Sequence, residues 1–152
     1  MILDEAMFSD IPQLCELLAI LFGQEVEFRP DPAKQEAALS LLINNPQRGR
    51  VFVIRDGSTL AGMVSVQVVI STACGGDVLL LEDLIVRPEY RNKGLGSVIM
   101  DNVVLFAKQH GYRRITLLTD RVNAGAQRFY KRHGFTSSDM VPYRMVFLTP
   151  PV

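Results

Sequence analysis

Leu14, Leu17, Leu18 and Leu21 return every three or four residues, the spacing that lays one apolar stripe along a helix. With Ser9 or Asp10 as N-cap and Pro12 in the first turn, the pattern predicts a helix from Ile11 to about Phe22, after a first strand in residues 1 to 7. The run DPAKQEAALSLLINN predicts a second helix, opened by Asp31 and a proline and ended by Asn-Asn-Pro. From Arg50 the period changes to that of strands: β-branched runs broken by Asp-Gly-Ser-Thr and Cys-Gly-Gly-Asp predict three antiparallel strands near 50 to 55, 59 to 71 and 78 to 86. Helical spacing returns at 95 to 109, where Ile99, Val103 and Phe106 share a face before Gly111. RRITLLTD reads as a short buried strand. A helix from about Asn123 to His133, stopped by Gly134, carries Ala126, Phe129 and Tyr130 on one face, and the tail FTSSDMVPYRMVFL reads as one or two further strands.

A chain of 152 residues with 48% hydrophobic and 21% charged residues fits one compact domain, residues 1–152. Neither a signal peptide in MILDEAMFSDIPQL nor an apolar run of membrane length is visible, so a soluble, cytoplasmic protein with no membrane partner is expected. Cys15 and Cys74 have no pattern of a disulfide framework or a metal knuckle and are expected to be buried thiols. Zero net charge argues against a general nucleic-acid binder. Its distribution is uneven: residues 1 to 76 hold 5 Lys+Arg against 9 Asp+Glu, and residues 77 to 152 hold 11 against 7. An anionic ligand therefore belongs to the second half.

That half contains RPEYRNKGLGSVIM, in which a strand ends, Arg87, Arg91 and Lys93 follow, and Gly94 and Gly96 open a helix. The first turn of a helix offers unpaired N–H groups and a positive dipole end, and glycine lets a phosphate approach them, so the segment reads as an anion site. The simpler alternative is a pair of glycines that only shape a turn. The P-loop pattern is absent, and the dinucleotide fingerprint fails because Ile99 stands where a third glycine is needed and residues 87 to 93 separate strand from glycines.

LEDLIVRPEYRNKGLGSVIM, with its strand, Arg-x-x-Gly-x-Gly and helix, together with the later VNAGAQRFYKRHGF, resembles the two signatures of the GNAT superfamily of acyl-CoA-dependent N-acyltransferases. The resemblance covers essentially the whole chain. It implies an α/β fold with a mixed, mostly antiparallel sheet of about seven strands and about four helices, splayed between the fourth and fifth strands. It implies acetyl-CoA as the acyl donor, with cofactor contacts from Leu84, Val86, Arg91, Asn92, Lys93, Gly94, Leu95, Gly96 and Ser97, and from Asn123 and Tyr130 across the gap. Asn123 also reads as a plain N-cap. The LED motif and RFYKRHGF look most like the diamine acetyltransferase branch, and a homodimer is implied by the family alone.

Transfer from a thioester to an amine needs a neutral amine, a place for a developing oxyanion and a proton for the departing thiolate. Strand alternation puts Glu82, Leu84 and Val86 on one face and Asp83 and Ile85 on the other; the resemblance to LED-containing members implies Glu82 as the base, with Asp83 the substitute if the register slips by one. By resemblance Tyr130 protonates the leaving sulfur. His110 and His133, in last helical turns, read as dipole or solvent histidines, and no metal is expected. Glu25, Glu27 and Asp31 in the loop after the first helix suit a small cationic acceptor. A protein lysine or N-terminal acetyltransferase and a noncatalytic acyl-CoA sensor are the other readings.

Overall fold

The computed structural model describes residues 1–25 and 27–147. Along them run β1 (Leu3–Glu5), α1 (Ile11–Gln24), α2 (Pro32–Asn44), β2 (Gly49–Asp56), β3 (Thr59–Ser71), β4 (Gly76–Val86), α3 (Leu95–Gln109), β5 (Ile115–Leu117) and α4 (Ala124–Arg132). One sheet has the order β1-β2-β3-β4-β5, with β1 to β4 antiparallel and β4 parallel to β5. A parallel neighbour cannot be reached by a hairpin, and α3 supplies the crossover.

The period-2 pattern of β2 divides the core between the two faces of the sheet. Val51 and Val53 pack with Leu14, Leu17 and Leu18 of α1 and Leu39 of α2. Phe52 and Ile54 pack with Ile99, Met100 and Val103 of α3. Each such side chain taken fully from water contributes about 1.5–3 kcal/mol, so this alternation fixes which helices cover which face.

Asp10 occupies the N-cap position of α1, but its side chain does not cap. Instead it accepts two hydrogen bonds from Arg55 at 2.8 and 2.7 Å and one from the Met7 N–H at 2.7 Å. Asp31 does cap α2, accepting from the Lys34 N–H at 3.4 Å, and Pro32 sits at the first helical position. Cys15 and Cys74 are free and half-buried rather than buried.

The expected count of about seven strands is corrected to five among the described residues. Residues 135–147 form no strand, and Leu148 of the expected tail strand lies outside the described residues. A strand needs a template, and β5 pairs over only three residues. Pro142 also removes one ladder donor. Tyr143, Met145, Val146 and Phe147 consequently stand exposed. Among the described residues no helix is long and apolar enough to cross a membrane.

Candidate active site

β4 and β5 pair only from Leu79–Leu81 to Ile115–Leu117. β5 then ends while β4 runs on to Val86, so the two diverge and a cleft of about 160 Å³ opens between them. Glu82 and Leu84 line one wall, Asp120, Asn123 and Tyr130 the other, and Glu25 at the end of α1 closes the side. This is the expected splay between the fourth and fifth strands.

A β-bulge decides how the acids of β4 are presented. Ser65 faces Asp83 and Val66 faces Leu81, which leaves Glu82 without a partner on β3. Leu79 and Leu81 pack on the α3 side, as do Leu84 and Val86 beyond the bulge, so the parity of the strand switches at Glu82. Simple alternation placed Glu82 with Leu84 and Val86 on one face; the bulge turns it into the exposed residue of the break, on the cleft. Asp83 is held by the Ser65 hydroxyl, which donates to its carboxylate at 2.8 Å.

Although its surface is open to the cleft, partial desolvation by the cleft walls raises the Glu82 carboxyl above the usual range, and the charge of Asp83 adds to this, while Arg144 opposes it. Tyr130 is raised by burial first and by the negative charge of Glu25 second, so its phenol stays protonated. Glu25 is raised by burial and then by the charges of Asp120, Asp83, Glu82 and Glu27. Among the described residues no hydrogen bond or ion pair engages the carboxylates of Glu25, Glu82 or Asp120. The other loop acids are engaged: Glu27 pairs with Arg144, and Asp31 caps α2.

At the far end of β4, the segment before α3 bends through two left-handed residues, Asn92 at φ 59° and Gly94 at φ 77°. Gly94 is the N-cap and no side chain caps the helix. The first turn of α3 therefore keeps free N–H groups at Leu95, Gly96 and Ser97, because the helical ladder begins with Val98 donating to Gly94 at 3.1 Å. At Gly96 a Cβ would meet only the Phe129 ring, at 3.5 Å, so packing alone does not require glycine there. Bare donors and a missing Cβ form a cradle for an anion.

The cations of this loop divide. Arg91 donates to the Val86 carbonyl at 3.0 Å, and Lys93 donates to the Glu89 carbonyl at 3.2 Å and lies over the Tyr90 ring. Both are exposed at the cradle. Arg87, expected to share this charge, is a structural tie instead: it donates to the Leu60 carbonyl and to Glu16, each at 2.7 Å.

Asn123 caps α4 as expected, accepting from the Ala126 N–H at 3.0 Å, and its residue also lines the cleft. His110 is the C-cap of α3, its Nδ1 2.9 Å from the Phe106 carbonyl. His133 is neither free nor solvated, for it meets Ser97 and Asp101 at 3.1 Å each. Among the described residues no group of three His, Cys, Asp or Glu side chains is placed to hold a metal. Sequence reasoning missed Asp120 as a cleft residue; its one signal was its position past the carboxyl end of a parallel strand, where such sheets open.

The model of the Acetyltransferase (GNAT) family matches residues 11–135. The uncharacterized N-acetyltransferase MJ1207 of Methanocaldococcus jannaschii is 32% identical over 65 residues, 43% of this chain and 29% of that protein. Streptothricin acetyltransferase of Streptomyces lavendulae is 38% identical over 85 residues, 56% of this chain and 42% of that protein. The chain thus spans less than half the length of these two curated relatives. The crystal structure of integron cassette protein HFX_CASS3, from the mobile metagenome of Cole Harbour Salt Marsh, superposes with a TM-score of 0.82 at 27% identity, over 98% of this chain and 91% of that one.

Proposed function

The chain belongs to the GNAT acetyltransferase family, and from that premise we propose that it transfers the acetyl group of acetyl-CoA to a primary amine of a small cationic acceptor. When bound, acetyl-CoA supplies the activated thioester. The free N–H groups of Leu95, Gly96 and Ser97 receive its pyrophosphate, Gly94 and Asn92 shape the turn, and Arg91 and Lys93 add charge. Leu84 and Val86, on the part of β4 that β5 leaves unpaired, take the pantetheine arm by their backbone, with Asn123 and Tyr130 on the opposite wall.

Glu82 takes the proton of the incoming ammonium. Its raised carboxyl narrows the gap to an amine near 10.4, which makes it a better base than a solvated glutamate. Tyr130 donates a hydrogen bond to the departing sulfur. A phenol is ordinarily a weaker acid than a thiol, and burial weakens Tyr130 further, so complete proton transfer is uphill: hydrogen bonding comes first and the proton follows as charge builds on sulfur.

The observation that carries the acceptor class is the set of three unengaged carboxylates, Glu25, Glu82 and Asp120, around one cleft. Arg144 acts on Glu82 from a distance but is itself paired with Glu27, so the clustered acids favour a ligand that brings positive charge. The name of the streptothricin relative supports acetylation of a free small molecule. We extend the reading to a cytoplasmic homodimer, for which the exposed row Tyr143, Met145, Val146 and Phe147 supplies an apolar face.

The test is thiol release from acetyl-CoA across polyamines, amino acids, aminoglycosides, streptothricin and lysine peptides. Release that depends on a small multiply charged amine supports the proposal. Release with peptides alone moves the acceptor to protein, and tight acetyl-CoA binding without any release leaves a sensor.

A further inference from the structure

Between α3 and α4 the ring of His133 spans two partners. Its Nδ1 lies 3.1 Å from Asp101 Oδ1 and its Nε2 lies 3.1 Å from Ser97 Oγ. The His133 side chain is only 12% exposed, whereas that of Asp101 is 72% exposed. Phe129 flanks the ring, with centroids 4.6 Å apart. Neither mechanism nor cleft uses this chain of groups, yet it ends on the hydroxyl of the anion turn.

The chemistry of the ring fixes the direction of each hydrogen bond. A carboxylate only accepts, so Asp101 holds the proton on Nδ1. In neutral His133, Nε2 then carries a lone pair, and Ser97 must donate its single O–H to it. The hydroxyl so engaged turns oxygen lone pairs, not a proton, towards an approaching phosphate. When His133 is protonated, Nε2–H donates to Ser97 Oγ, and the Ser97 O–H is freed for the anion. Protonation thus adds a positive charge near the turn and reverses the serine.

We infer that His133 is a positioning residue for the pyrophosphate, and that acetyl-CoA binding takes up a proton through the Ser97–His133–Asp101 chain. The inference rests on the pyrophosphate lying on the Leu95–Ser97 turn. The charged groups on the two helices that frame His133 are Asp101 of α3, which meets the ring, and Lys131 and Arg132 in the last turn of its own helix; Arg91 and Lys93, in the loop before α3, are tied to the carbonyls of Val86 and Glu89. Among the described residues, only Asp101 lies within ion-pairing distance of the ring. Because the phosphate favours the protonated ring, proton uptake accompanies binding and affinity rises as pH falls. One unit of coupling corresponds to about a tenfold change in affinity.

Calorimetry of acetyl-CoA binding in buffers of different ionisation enthalpy counts the protons taken up at fixed pH. Wild type is compared with His133→Gln, which keeps a hydrogen-bonding group that cannot titrate, and with Ser97→Ala, which leaves the histidine but removes the reversible hydroxyl. The CoA phosphates titrate in all three and cancel in the difference. We expect greater proton uptake by wild type than by either variant, and a dissociation constant that weakens about tenfold more between pH 6 and 8 in wild type. Equal uptake in wild type and in Ser97→Ala overturns the inference while leaving the acetyl-CoA reading standing. Absence of acetyl-CoA binding to the wild-type protein overturns both.

Discussion

The Ser65 hydroxyl donates to the Asp83 carboxylate at 2.8 Å across β3 and β4, directly beside the bulge that leaves Glu82 without a cross-strand partner. Two adjacent acids are thereby separated into an engaged one and one free at the cleft. Glu82→Gln is expected to lower turnover about a hundredfold, the usual contribution of a positioned base. It should also remove the rise of rate with pH that follows ionisation of Glu82. Asp83→Asn should retain that rising limb. A pH–rate profile of all three proteins checks this, and an unchanged limb in Glu82→Gln would assign the base elsewhere.

Tyr130→Phe keeps a ring that packs against Phe129 and Phe135, at centroid distances of 5.4 and 6.0 Å, and removes only the hydroxyl. Turnover is expected to fall about a hundredfold, far more than acetyl-CoA affinity. Parallel steady-state kinetics and equilibrium binding separate the two, since equal losses in both point to a binding role.

Gly94 and Gly96 serve different ends. Gly94 sits at φ 77°, so Gly94→Ala is expected to cost about 1–2 kcal/mol of stability by straining the turn. Gly96 is helical and has room for a methyl group against Phe129, so Gly96→Ala should stabilise α3 by about 0.5–1 kcal/mol. The same methyl group should weaken acetyl-CoA binding about tenfold, the equivalent of one lost charge-assisted hydrogen bond. Chemical denaturation and ligand titration of the two variants test this opposite ordering.

Glu25 has a folded carboxyl raised above its unfolded value by burial and by its acidic neighbours. The folded state therefore resists its ionisation: the cost is absent below the unfolded value and complete once the pH passes the folded one. Glu25→Gln should accordingly raise the melting temperature at pH 7 and change it less at pH 4, while the KM for a cationic acceptor rises. Melting curves at the two pH values, with acceptor kinetics, measure both effects. A lower melting temperature at pH 7 would mean that Glu25 supports the fold.

Asp10 behaves in the opposite sense. Hydrogen bonds from Arg55 hold its carboxyl below the ordinary value of 3.8, outweighing the effect of burial. Its contribution is complete above that unfolded value and is lost as pH falls through the lower folded one. Asp10→Asn leaves Arg55 with the longer and more exposed contact to Asp4, at 3.9 Å, and should cost about 3 kcal/mol at pH 7. Urea unfolding from pH 7 downward should show the gap between the two proteins closing in acid.

Periodicity alone located α1, α2, α3, α4 and the three long strands, because each buries a continuous stripe or alternating face whose spacing is set by local geometry. Asp31, Pro32 and Gly111 marked ends correctly for the same reason, since caps act within a turn. The glycine turn was legible too: Arg-x-x-Gly-x-Gly before an apolar helix specifies its own backbone. Non-local partners were not legible. Arg87 looks like Arg91 in the sequence, but only the folded chain brings Glu16 and the Leu60 carbonyl to it. The tail alternates like a strand, yet a strand exists only where another edge accepts it.

The sequence by itself determined the helices, the central strands, the glycine turn before α3 and the family, all of which depend on order and spacing along the chain. Tertiary structure alone decided that a bulge at Glu82 frees one acid and engages the next, that Glu25 and Asp120 share a cleft, and that His133 bridges Ser97 and Asp101. Each of these joins residues far apart in the chain. Their distances are set by how the helices and strands pack, and hydrogen bonding and charge coupling depend on those distances.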